Sequence, residues 1–170
     1  FKNGTDGNLQ IAFDAIKSAS GAHHFLSVTK EGNSAIFSTS GNSYCHTILR
    51  GGSKKVNYDE KSIDEVSARL DKANLPQQIV VDCSHANSMK DHKKQMIVVD
   101  DLAKQLSNGE KRIKGLMIES NLVEGNQNIN DENLVYGKSV TDACIGWEDT
   151  QKVLYTLSEA IEKRKNNAQN

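Results

Sequence analysis

The sequence predicts an α/β fold in which parallel strands alternate with helices, and three observations carry that expectation. The runs QIVVDC (78–83) and IKGLMIE (113–119) are short and largely apolar, as strands buried on both faces must be. Around them, apolar residues recur at three- and four-residue spacing, the period of a helix packed on one side. Strand and helix signals also alternate along most of the chain, the order that βαβ units produce. The 170 residues, 36% apolar and 25% charged, suit a single domain (1–170) with a real core.

From the start of the chain, Leu9, Ala12, Phe13 and Ile16 keep helical spacing, and Gly21 stands where that helix ends. HHFLSVT (23–29) reads as the first strand, and the weakly alternating SAIFSTSGN (34–42) as a short β insert after it. CHTILRGG (45–52) gives the next strand, closing on Arg50 and two glycines. Ile63, Val66 and Leu70 mark a second helix, with Asn57 and Glu60 in the spacing of a capping box ahead of it. After the strand at 78–83, Met96, Val99, Ala103 and Leu106 lay one face of a third helix, opened at Ser88 or Asp91 and stopped at Asn108-Gly109. The strand at 113–119 leads into a polar connection, 120–146, without a convincing helix; loops of that length are functional or disordered. Val153, Leu154, Leu157 and Ile161 make the last helix, with Glu148 and Asp149 in its first turn and Lys163-Arg164-Lys165 complementing the dipole at its end. The tail from Asn166 is expected to fray.

A net charge of −1 provides no footprint for a nucleic-acid backbone. No apolar stretch approaches the ~20 residues that span a bilayer, so no membrane partner is expected either. Cys45, Cys83 and Cys144 are odd in number and scattered, so no disulfide framework is expected, and a reducing cytoplasm is the expected location. The chain opens at Phe1 with neither an initiating Met nor a signal-peptide pattern, and reads as entered in mid-fold. Its few βα units cannot close an eight-stranded barrel, which takes ~250 residues, and would leave two sheet edges unpaired. The expected architecture is therefore a half-barrel, the later half of a longer enzyme.

Barrels of this kind keep their chemistry where strands end in the C-terminal rim. His85 closes one strand beside Asp82, Ser84 and Asn87, whose hydrogen bonds can fix its tautomer for coordination. Glu119 closes the next, where a carboxylate beside a buried run must be paired, hydrated or bound to a cation. Asp142, in the loop TDACIG, offers another oxygen. Taken singly, these side chains also fit as a strand cap, a paired acid and a turn residue. Together, one imidazole and two carboxylates suit Mn, Fe, Co or Zn better than Ca. Lys2 and Arg50 end two other expected strands beside Gly-rich backbone. An ammonium and a guanidinium there can hold phosphate or carboxylate oxygens, although a lone Lys or Arg is commonly only a solvated charge. Cys83 and Cys144 match no CxxC spacing and read as strand and loop packing.

The segments FKNGTDG (1–7), FLSVT (25–29), ILRGG (48–52), DCSHAN (82–87), ESNLVEGNQ (119–127) and YGKSVTDACIGWEDT (136–150) resemble, in order, the C-terminal half of type I 3-deoxy-D-arabino-heptulosonate 7-phosphate (DAHP) synthase. The resemblance covers nearly the whole chain. It implies half of a (β/α)8 TIM barrel and a metal-dependent transferase that condenses phosphoenolpyruvate with erythrose 4-phosphate. That reaction opens the shikimate pathway to the aromatic amino acids.

Carried over residue by residue, His85, Glu119 and Asp142 stand at metal-ligand positions and Lys2 and Arg50 at phosphoenolpyruvate-binding positions, with Lys2 and His85 as catalytic groups. Phe25, Ser27 and Phe37 fall in a segment that the family uses for feedback by an aromatic amino acid, and their other reading is plain packing. The resemblance further implies that the full-length protein assembles as a dimer or tetramer. The family's cysteine ligand and its KPRT-type segment for erythrose 4-phosphate have no counterpart here, so the fragment alone is expected to be inactive. The rival readings are a sibling synthase using arabinose 5-phosphate, which the KSVTDACIGWEDT loop fits poorly, and a non-catalytic half-barrel binding a sugar phosphate or a partner.

Overall fold

The computed structural model describes residues 1–53 and 55–167. In order these form α1 (Gln10–Ser20), β1 (His23–Val28), β2 (Ser34–Thr39), β3 (Thr47–Leu49), α2 (Glu60–Lys72), β4 (Ile79–Asp82), a 3₁₀ turn (His92–Lys94), α3 (Gln95–Ser107), β5 (Ile113–Met117), β6 (Val123–Asn126), β7 (Lys138–Ser139) and α4 (Trp147–Asn167). β3, β4 and β5 pair in parallel, in that order. A parallel bridge from Lys2 to Ile48 adds the start of the chain beside β3.

Period-2 alternation divides this sheet into two unlike faces. Thr47, Leu49, Ile79 and Val81 are completely buried, on a core shared with Phe13, Ile63, Leu70 and Leu102. Ile48 and Val80 alternate onto the other face and are only partly covered. The helices follow from the apolar stripes read in the sequence. α1 buries Ala12, Phe13 and Ile16, and Arg69 of α2 lies 5.2 Å over the Phe13 ring. α3 buries Val98, Val99, Leu102 and Leu106, each worth roughly 1.5–3 kcal/mol of transfer free energy. Arg164 in the last turn of α4 donates to the Glu110 carbonyl at 2.7 Å. The fraying expected from Asn166 falls mostly on residues 168–170, outside the described residues; α4 itself runs through Asn167.

Two readings of the sequence are corrected. HHFLSVT is not a strand of the parallel sheet: β1 pairs with β2 as an antiparallel hairpin, Phe25 opposite Phe37, and the insert and the supposed first strand are one unit. The reason lies in connectivity. A parallel partner requires a crossover of a dozen or more residues, usually a helix, and none lies between β1 and β3. The hairpin is exposed on both faces, and the sheet position it was expected to fill is taken by the chain around Lys2. The cap of α2 is Asp59, whose carboxylate accepts from the Ser62 N–H at 3.0 Å. Asn57 is instead buried, with its side-chain oxygen accepting from Gly51 N–H at 2.7 Å.

That bond belongs to a buried amide network tying together the strand ends. Asn87 donates to the Leu49 and Asp82 carbonyls and accepts from Asn57 N–H. Asn57 in turn donates to Asn3, which donates to the Gly51 carbonyl and accepts from Arg50 N–H. Such satisfied buried networks specify one arrangement of backbone.

At the opposite end of β5, Arg112 donates to Glu110 at 2.6 Å and to Asp64 of α2 at 2.7 Å. Hydrogen bonding from Arg112 holds the Glu110 carboxyl below the usual glutamate range, against the opposing effect of partial burial. A depressed native value means stability that is fully present above the unfolded value and lost as pH falls through the native one. Arg112→Ala is expected to cost about 0.5–1 kcal/mol at neutral pH, because solvent screens the cluster, with the deficit vanishing in acid. Denaturant titrations across pH read this, and a deficit independent of pH would assign the effect to packing alone.

Candidate metal centre and anion site

The C-terminal ends of the parallel strands carry the polar side chains. β4 ends on Asp82, fully buried, and the chain turns sharply through Ser84 and His85. His85 is left-handed at φ 51°, a conformation that histidine adopts more readily than most residues and that clusters at functional sites. The turn is closed by Lys90 N–H donating to the His85 carbonyl at 2.7 Å. Nδ1 of the ring lies 2.7 Å from Ser84 Oγ and 2.9 Å from Asp82 Oδ2. A proton on Nδ1 satisfies both and leaves the Nε2 lone pair free. Nε2 stands 3.6 Å from Glu119 Oε1.

Glu119 follows β5, and the side chain of Gln95 fixes its backbone by accepting from Glu119 N–H at 2.8 Å and donating to its carbonyl at 3.0 Å. The long connection returns beside it. Ile145, completely buried, donates its N–H to the Glu119 carbonyl at 3.0 Å, and Ser120 and Ile145 form a parallel bridge. Asn126 also donates to the Thr141 carbonyl at 2.9 Å, setting Asp142 over the rim. One ligand-type atom each from His85, Glu119 and Asp142 lie within 4.8 Å of one another. Ligand atoms sit about 2.0–2.2 Å from a first-row cation, so the three must draw together around an ion to share it. One nitrogen and two carboxylate oxygens, with further positions open, are donors suited to Mn, Fe, Co or Zn.

These groups line a cleft of about 300 Å³ together with Arg50, Ser84 and Lys90. Among the described residues no carboxylate pairs with the Arg50 guanidinium. Lys2 stands differently, its Nζ bound to Asp82 Oδ2 at 2.7 Å. Burial pushes the Asp82 carboxyl upward, but hydrogen bonds from Lys2 and Ser84 and the charges of His85 and Lys2 outweigh it and leave the group below the ordinary aspartate range. Burial, with a smaller push from Asp82, drives the Cys83 thiol up to about 12, consistent with packing rather than ligation. Cys144 is likewise raised, by burial and then by Glu119.

Phe25 and Phe37 stack across the hairpin with ring centroids 6.0 Å apart, and Ser27 shares their face. Phe25 also lines a separate open cleft with His23, His24 and Ser38. The sequence reading missed Gln95. Its signal was available as a polar residue on the core stripe of α3, fully buried at the helix start.

A parallel α/β sheet with His, Glu and Asp converging at its C-terminal rim defines a class of enzyme scaffold, and the sequence assigns it: the chain belongs to the DAHP synthetase I family, whose model matches residues 1–155. Over 166 residues it is 57% identical to the phospho-2-dehydro-3-deoxyheptonate aldolase, Phe-sensitive, of Escherichia coli (strain K12), covering 97% of this chain and 47% of that protein. The phenylalanine-inhibited aldolase of Saccharomyces cerevisiae is 49% identical over 173 residues, covering 97% of this chain and 47% of the yeast protein. The solved phospho-2-dehydro-3-deoxyheptonate aldolase from Francisella tularensis SCHU S4 superposes with a TM-score of 0.91 at 50% identity, over 96% of this chain and 48% of that one. The family resemblance read from the motifs is thereby borne out. The chain spans about half the length of the curated relatives it matches.

Proposed function

We propose that this chain supplies half of a (β/α)8 barrel and most of the metal site of a 3-deoxy-7-phosphoheptulonate synthase. The reaction joins phosphoenolpyruvate, erythrose 4-phosphate and water to give DAHP and phosphate, opening the shikimate route to aromatic amino acids. The observation that carries this reading is the cluster of His85, Glu119 and Asp142 at the strand ends of a chain of this family. A bound divalent cation supplies Lewis-acid polarisation of the aldehyde oxygen.

The chain's own side chains do the rest by positioning and charge. His85, Glu119 and Asp142 hold the cation. Arg50 holds carboxylate or phosphate oxygens of phosphoenolpyruvate in bidentate fashion, and Lys2 offsets their negative charge. Held so, C3 of phosphoenolpyruvate faces the carbonyl carbon of erythrose 4-phosphate; water adds at C2 and the C2–O bond to phosphate breaks. The half-barrel reading is supported by the partly covered Ile48 and Val80 and by an apolar cleft of about 550 Å³ lined by Ile113, Leu116, Leu157 and Ile161. Self-assembly of the full-length protein as a dimer or tetramer is supported by the exposure of Leu26 (75%) and Ile36 (76%) on the hairpin. Three free cysteines suit a reducing cytoplasm. No helix of the described residues is long and apolar enough to cross a membrane.

Feedback by an aromatic amino acid at Phe25, Ser27 and Phe37 belongs to the same proposal. Its support is the stacked Phe25–Phe37 pair and the names of relatives described as Phe-sensitive, Trp-sensitive and tyrosine-inhibited.

In the natural full-length protein, one equivalent of manganese is expected per chain, together with phosphate release that requires both substrates. His85→Ala is expected to lose both. Retention of stoichiometric metal and turnover by that variant would overturn the assignment. The same assay, run separately with phenylalanine, tyrosine and tryptophan, reads the feedback site, and indifference to all three would remove it.

A further inference from the structure

We propose that Asp82 is a shared anchor, a positioning residue whose single buried carboxylate holds both the metal-facing imidazole of His85 and the anion-facing ammonium of Lys2, and so couples cation binding to anion binding. This rests on the metal reading above. Asp82 closes β4 with no solvent exposure, and one of its oxygens is shared between the two sides of the rim while Ser84 holds the other. Oδ1 accepts from Ser84 N–H at 2.9 Å and from Ser84 Oγ at 2.6 Å. Oδ2 stands 2.7 Å from Lys2 Nζ and 2.9 Å from His85 Nδ1. Four partners fill the accepting capacity of a carboxylate, so no water is needed to satisfy it.

The two contacts of Oδ2 compete. A cation drawing on Nε2 polarises the ring and strengthens its Nδ1–H bond to Oδ2, which weakens the hold of Oδ2 on Lys2 and releases the ammonium toward an incoming anion. By reciprocity, an anion that engages Lys2 strengthens the bond to His85 and with it the affinity for the cation. Direct attraction between cation and anion persists without Asp82; the anchor adds to it. The two partners come from different places in the chain, Lys2 from the start beside β3 and His85 from the turn after β4.

The test uses the natural full-length protein and compares wild type with Asp82→Asn, which keeps the volume and removes the charge. Manganese affinity is expected to fall about 10–100-fold, the range for loss of a partner behind a ligating histidine. Phosphoenolpyruvate affinity measured without metal is expected to rise, because Lys2 is released and a negative charge leaves the rim, and the ratio of its affinities with and without manganese to shrink, at unchanged circular dichroism. Nitrogen NMR of the metal-free wild type is expected to find the ring proton of His85 on Nδ1, a readout that holds even where the variant does not fold. A folded variant that binds both ligands and keeps the wild-type ratio, or a proton found on Nε2, would overturn the anchor. Loss of manganese in His85→Ala but not in Asp82→Asn removes the anchor alone. Retention in both removes the metal reading beneath it.

Discussion

Glu119→Ala is expected to abolish stoichiometric manganese binding in the natural full-length protein while leaving its folding largely intact. The two halves of that expectation have separate causes. The backbone of Glu119 is held by Gln95 and by Ile145 N–H, neither of which involves the Glu119 side chain, and that side chain is 30% exposed. Truncation at Cβ therefore leaves the end of β5 in place. The proposed metal site would lose one of its two carboxylates, the one whose oxygen stands 3.6 Å from Nε2 of His85. The affinity loss should exceed the roughly 10–100-fold that follows removal of an outer partner. Glu119→Gln separates shape from charge and is expected to be nearly as damaging, since an amide oxygen is a poor substitute for a carboxylate on these cations. Titration of manganese by calorimetry or electron paramagnetic resonance measures both variants. Wild-type affinity in either would take Glu119 out of the ligand set.

Gly51→Ala is expected to destabilise the chain by about 3–5 kcal/mol, a large share of the roughly 5–15 kcal/mol by which domains are stable. Gly51 is buried at φ 75°, where a side chain is strained by about 1–3 kcal/mol. A Cβ there would meet Asn87 N at 2.7 Å, the Ala86 carbonyl carbon at 2.8 Å and Ala86 Cβ at 2.9 Å. Two of these atoms are backbone and cannot rotate away, which adds about 1–3 kcal/mol of overpacking. The relaxation would also break bonds on which the rim depends. Gly51 N–H donates to Asn57 and its carbonyl accepts from Asn3, while Arg50 and His85 are immediate chain neighbours of the clash. The proposed anion and metal sites should therefore loosen together. Gly109→Ala is the control, because that glycine is also at positive φ but nothing lies within 4 Å of its added Cβ. Urea unfolding of the two variants measures the difference. Equal losses would mean that the Gly51 turn yields and only local strain is felt.

The elements most legible in the sequence were those whose fate is decided locally. The stripe of α1, the run that became β4 and the stop at Asn108 depend on burial periodicity and chain-end chemistry within a few residues. The cap of α2 was misjudged because Asn57 carries a capping side chain only two residues before the true cap, Asp59. Asp59 reaches Ser62 N–H, whereas Asn57 is drawn into the network with Asn3 and Asn87 by groups far away in sequence. HHFLSVT was misassigned for a similar reason. Its composition suits any strand, and only the lack of a crossover to β3 excludes it from the parallel sheet. For the site, residue types at strand ends flagged His85 and Glu119 as candidates. Gln95, acting through two bonds to main chain, left only the weak signal of a polar residue on an apolar stripe.

By itself the sequence determined the alternation of helix and strand and the family, and it offered the side chains proposed to bind metal and anion. These follow from local pattern and from motifs read in order. Only the tertiary structure decided that the turn after β4 lifts His85 toward Glu119, that Ile145 returns Asp142 to the same rim, and that Asp82 faces both Lys2 and His85. Each of those meetings depends on the parallel pairing of β3, β4 and β5 and on bonds between residues distant in the chain, and distance in space has no local signature in the order of amino acids.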